Sequence, residues 1–79
     1  MPYSFDLAET AGNTAAAEFD TVFGGNDPAD WAPAMRRTLG RLWVALWTDM
    51  MEDGFPASEE DSAREGFRTG LGRWAEYFG

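Results

Sequence analysis

The chain has 79 residues, enough for one domain, and a domain of that size buries only about 60–65% of the surface its unfolded form exposes. It contains neither Cys nor His, which removes disulfides, thiolate zinc sites, cysteine nucleophiles and the commonest general base. Fourteen acidic side chains stand against six arginines, with no Lys, and the net charge of -8 opposes binding to bare nucleic acid or an anionic membrane.

The opening "MPYSFDLAET" has no positive n-region and no long apolar core, so no signal peptide is expected. Tyr3, Phe5 and Leu7 alternate, which suggests an extended N-terminal arm over residues 1–12, a strand only if a second chain pairs with it. Asn13 or Thr14 can cap a short helix over 13–23, with Ala15, Phe19, Val22 and Phe23 on one face. Gly24 and Gly25 end it.

"NDPADWAP" combines an Asp-Pro helix start with a second proline five residues later. A proline does not sit easily deep inside a helix, so the pattern predicts a short turn at 28–32 and a main helix over 33–53. Gly54 is its stop, and Pro56 blocks continuation. The apolar run at 42–47 spans six residues, against the roughly 20 that a bilayer requires. Ser58 starts the last helix, 59–78, with Glu59, Glu60 and Asp61 in its first turn, where the helix dipole favours negative charge. An alternative is that Gly66, Gly70 and Gly72 interrupt this helix.

The fold class expected is therefore all-α, a single small domain in which a short first helix packs on a long antiparallel helical hairpin. The short link at 54–58 sets the hairpin. Its register pairs Met50 with Ala63, Leu46 with Phe67, Leu42 with Leu71, Leu39 with Trp74 and Met35 with Phe78. Trp43 then faces Gly70 and Trp47 faces Gly66, large against small as close packing requires. "LWVALW" is apolar nearly all round its helix, and a short first helix would leave Val44, Met51 and the tryptophan edges uncovered. A homodimer is the expected remedy.

Charge separates along the chain. Residues 35–48 carry Arg36, Arg37 and Arg41 and no acid, whereas 49–61 carry six acids and no base. The hairpin brings Asp49, Glu52, Asp53, Glu59, Glu60 and Asp61 to one pole, with Glu65 one turn below. Glu60 and Arg64 form an i, i+4 pair that neutralises part of it. Asp49, Glu52 and Asp53 sit in the last turns of a helix, where negative charge is disfavoured. These seven carboxylates are the candidate partner-binding site.

Other chemistries fit less well. "DMMEDGFPASEED" lacks the EF-hand spacing, the chain is too short for a cleft holding two distinct catalytic carboxylates, and "FGGND" lacks the Lys of a P-loop. No catalysis, metal or cofactor is expected. In size and composition alone, the chain is similar to the phage-encoded anti-CRISPR and anti-restriction inhibitors, small acidic proteins without cofactors. The acidic pole, rather than that likeness, suggests a cytoplasmic inhibitor that mimics nucleic acid and fills the basic groove of a nucleic-acid-binding protein. The alternative is a non-catalytic structural or adaptor protein that joins a partner through the apolar helix face around Trp43, Trp47 and Met51.

Overall fold

Three helices and two 3-10 turns make up the computed structural model, which describes residues 3–78. The first helix, α1, runs over Ser4–Phe23, so the expected arm is helical from Ser4 onward; residues 1 and 2 lie outside the described part. Ala8, Ala11, Ala15, Ala16 and Ala17 give this stretch high helix propensity. The alternation of Tyr3, Phe5 and Leu7 is misleading, since Tyr3 and Leu7 are both exposed. The operative pattern is Ser4, Ala8 and Gly12, one small buried residue every fourth position, which forms a stripe along one helix face.

That stripe meets the third helix, α3, Glu60–Leu71. A Cβ on Gly66 would land on the Phe5 carbonyl, one on Gly70 on the Glu9 carbonyl, and one on Gly12 on the Phe67 carbonyl. The two backbones therefore touch, and only glycine fits at these three positions. Ser4 lies beside Glu59 at one end and Asp20 beside Arg73 and Trp74 at the other, so α1 and α3 run parallel. The spacing Gly66-x-x-x-Gly70, whose use between membrane helices the nearby arginines argue against, here lets two helices of one chain close on each other.

The second helix, α2, Pro28–Glu52, runs back against both. It begins five residues before the expected start at Pro33, because Asp27 caps it by accepting from the Ala29 N–H at 3.0 Å. The Trp31 indole also donates to the Asn26 carbonyl. Pro33 is accommodated one turn inside the helix, on its exposed side, where it removes one backbone hydrogen bond. The buried seam of α2 is Trp31, Met35, Leu39, Trp43, Trp47 and Met50. Leu42 is exposed and Leu46 only half-buried, so the seam is rotated from the expected one and the tryptophans take the centre.

The hairpin register is thereby corrected. Gly66 and Gly70 oppose α1 rather than Trp47 and Trp43. Trp43 instead stacks on Trp47, with centroids 6.0 Å apart, and meets Phe67 at 5.9 Å and Phe78 at 6.1 Å. The last helix is also shorter than 59–78: α3 ends at Leu71, because Gly72 adopts φ 59°, ψ -125°. A 3-10 turn over Gly72–Tyr77 follows, and Phe78 folds back so that its carbonyl accepts from Arg68 at 3.1 Å. The molecule is a rod of 40 × 18 × 16 Å, and no helix among the described residues is long and apolar enough to cross a membrane.

Candidate functional site: the acidic pole

The end of the rod at which α2 stops and α3 starts collects the seven predicted carboxylates. Asp49 and Glu52 lie in the last turn of α2, and Asp53 caps it. Gly54, at φ 107°, turns the chain. A 3-10 turn, Ala57–Glu59, then leads into α3, whose first turn carries Glu60 and Asp61. Glu65 follows one turn on. Six of the seven are exposed; Glu59 is half-buried and accepts a hydrogen bond from Ser4 Oγ at 3.2 Å.

That Ser4 contact and the approach of Phe5 to Gly66 put the start of α1 at the same end. Asp6, exposed in the first turn of α1, therefore joins the pole. Sequence reading misses it because the alternation of Tyr3, Phe5 and Leu7 points to an arm; the four-residue recurrence of Ser4, Ala8 and Gly12 is the signal that finds the helix. Asp6, Glu60 and Asp61 face positive helix ends, which favour them, whereas Asp49, Glu52 and Asp53 add to the negative end of α2.

Among the described residues none of these carboxylates is in an ion pair. The expected Glu60–Arg64 pair does not form: the Arg64 guanidinium sits over the Phe78 ring at 4.5 Å and over Trp43 at 5.7 Å. Among the described residues the sole ion pair is Arg73–Asp20, 2.7 Å, towards the other end. There Arg73 and the Trp74 indole hold the Asp20 carboxyl below its ordinary 3.8. Nor do the polar carboxylates converge: no group of three among the described residues could hold a metal ion. They form a spread of separate charges, suited to meeting several cations rather than chelating one.

Comparison with protein-family models, curated proteins and solved structures found no match.

Two rival surfaces are weaker. Trp31, Trp43, Trp47 and Trp74 are only 2–8% exposed, so the tryptophan-rich face expected to serve an adaptor is the core itself, and of the three residues named for it only Met51 is exposed. Opposite the pole, a cleft of about 300 Å³ is lined by Phe23, Trp31, Trp74, Tyr77, Arg73 and Glu76 among others. Its rings pack on one another with Trp31 centroids 5.1 Å from Trp74 and 5.0 Å from Tyr77, which leaves no slot between them for a planar guest, and its arginine is already held by Asp20.

Proposed function

We propose that this protein is a non-enzymatic, acidic inhibitor that binds the basic groove of a nucleic-acid-binding protein in place of nucleic acid. One observation carries the reading. Asp49, Glu52, Asp53, Glu60, Asp61 and Glu65 are exposed at one end of a rod, and none is ion-paired among the described residues. Unpaired charge of one sign weakens a small fold through self-repulsion, so a fold that keeps it undiluted retains a feature that stability alone does not call for.

The mechanism follows from the placement of the charges. Exposed carboxylates on two adjoining helix ends present several separate negative charges at one end of the rod, as a phosphate backbone presents a series of them. Arginines and lysines lining a nucleic-acid groove can meet them with charge-assisted hydrogen bonds. Steering by the net charge of -8 raises the association rate. Pre-set helices hold the backbone in place, so the ordering cost of binding is confined to the side chains. The inhibitor would compete with nucleic acid and leave the partner's fold intact. Action inside the cytoplasm, in the manner of an anti-CRISPR or anti-restriction protein, is part of this proposal.

The test is a variant with Asp49, Asp53 and Asp61 changed to Asn and Glu52, Glu59, Glu60 and Glu65 changed to Gln. Its helicity is checked by circular dichroism, and the parent is used to capture basic proteins at low and at moderate salt. Parent binding should weaken steeply with salt, and the variant should capture nothing that nucleic acid displaces from the parent. A folded variant that retains the partner would overturn the proposal.

A further inference from the structure

The side of α2 that faces away from the core carries features the fold leaves without use. Gly40 lies in the middle of a 25-residue helix, where glycine costs about 1 kcal/mol relative to Ala. Gly12, Gly66 and Gly70 each have a neighbouring backbone that explains them, yet nothing lies within 4 Å of a Cβ placed on Gly40. Beside it, Val44 is 63% exposed, in a shallow apolar groove bounded by Arg37, Gly40, Arg41 and Ala45.

The arginines on this face are also unengaged. Arg36 lies over Tyr77, Arg64 and Arg68 over Phe78, and Arg73 on Asp20. Among the described residues Arg37 and Arg41 have no ion pair and no ring beneath them. They are cations flanking an apolar strip on a chain that is otherwise strongly negative.

The order of residues along this face decides the occupant. Arg37, Arg41, Val44, Ala45, Thr48 and Glu52 are all exposed, and their spacing lets them share one side of the helix. The steps between them read the same in both directions, with a cation at one end and a carboxylate at the other. An antiparallel copy of α2 laid on this face, centred between Val44 and Ala45, sets Arg37 against Glu52, Arg41 against Thr48 with Asp49 beside it, and Val44 against Ala45. Two-fold symmetry repeats each contact. The bare backbone at Gly40 gives the approaching helix room. We infer that the protein forms a homodimer through this face of α2, antiparallel, with reciprocal Arg37–Glu52 pairs.

This inference does not depend on what the acidic pole binds. It engages Glu52 and sets Asp49 beside Arg41, two of the pole's eight carboxylates in each copy, and the antiparallel arrangement leaves the rest of a pole free at both ends. The two Glu52 positions would be separated by about 22 Å along the helix axis at 1.5 Å per residue.

Sedimentation equilibrium of the full chain, from low to high micromolar, measures the association directly. The mass should rise from the 8.8 kDa of one chain to twice that value. Arg37→Glu and Glu52→Arg alone should each raise the dissociation constant by about tenfold, as like charges come to face each other. The double variant Arg37→Glu, Glu52→Arg should restore dimerisation. Val44→Cys supplies an independent readout in a chain with no other cysteine: mild oxidation should link two copies much faster than it links Thr21→Cys, an exposed position on α1. A parent that stays at 8.8 kDa overturns the inference. So does a dimer in which the double swap fails to restore association and Val44→Cys links no faster than Thr21→Cys. None of these readouts involves a basic partner, so they stand apart from the fate of the decoy proposal.

Discussion

Glycine has two opposite meanings at the residue scale in this protein. At Gly66 and Gly70 the missing Cβ is what allows α3 to rest on the backbone of α1. Alanine there removes the intrinsic cost of a helical glycine but forces two close-packed helices apart, and overpacking of that kind costs about 1–3 kcal/mol. At Gly40 there is space on every side, so alanine should stabilise the monomer by about 0.5–1 kcal/mol. The same substitution should therefore lower the urea midpoint at 66 and 70 and raise it at 40, measured in dilute solution. Equal responses at the three positions would contradict the α1–α3 contact. A second residue-scale prediction concerns acid. The Asp20 carboxyl is held below 3.8 by hydrogen bonds from Arg73 and from Trp74, whose indole donates at 2.9 Å. A depressed folded pKa contributes stability that is present above the unfolded value and is lost as pH falls through the folded one. Asp20→Asn should thus be less stable than the parent at neutral pH, and the gap should close as pH drops below about 4. Paired thermal melts at pH 7 and pH 2.5 check it.

The elements themselves were only partly legible. Helix propensity, the Asp27 cap and the Gly54 stop marked the helical class and the placement of two links, because those signals are local. Three features were misread, the first because it depended on long-range contact. The N-terminal segment looked extended since alternation of large residues outweighed the small-residue stripe, whose meaning appears only when α3 lies on it. Pro33 looked like a start, although a proline one turn inside a helix, on its exposed side, loses a single hydrogen bond. Gly72 looked no different from Gly66 and Gly70, yet it alone of the three turns the chain. The acidic pole was legible for seven residues because one short link joins them, and Asp6 was missed with the helix that carries it. Gly72 offers the element-scale test. Its φ of 59° with ψ of -125° is a conformation that residues with a Cβ rarely adopt, so Gly72→Ala should destabilise by about 1–3 kcal/mol. It should also disturb Phe78, whose ring lies 5.1 Å from Phe67 and 6.1 Å from Trp43. Loss of near-ultraviolet ellipticity from the tryptophans, with far-ultraviolet helicity retained, is the expected signature. An Ala variant with the parent's melting point and near-ultraviolet spectrum would mean that α3 can run on through Gly72 without loss.

For the molecule as a whole, the pole sets up a conflict between stability and binding that one set of measurements can expose. Seven exposed carboxylates at one end, Asp6 included, repel each other in a chain with a net charge of -8, and among the described residues only Asp20, away from the pole, has an ionic partner. Screening shortens the reach of that repulsion from about 30 Å at 0.01 M salt to about 8 Å at 0.15 M. The melting temperature of the parent should therefore rise with sodium chloride over this range. The variant in which seven of the pole carboxylates become Asn and Gln should melt higher than the parent at 0.01 M and respond far less to salt. Local ion pairs would behave in the opposite way, losing strength as salt is added. If the parent instead melts lower at 0.15 M than at 0.01 M, its carboxylates are being compensated by nearby cations, and the free negative potential on which groove binding depends is not there. If the neutralised variant gains stability while losing its basic partner, the same carboxylates are shown to cost the fold what they contribute to recognition.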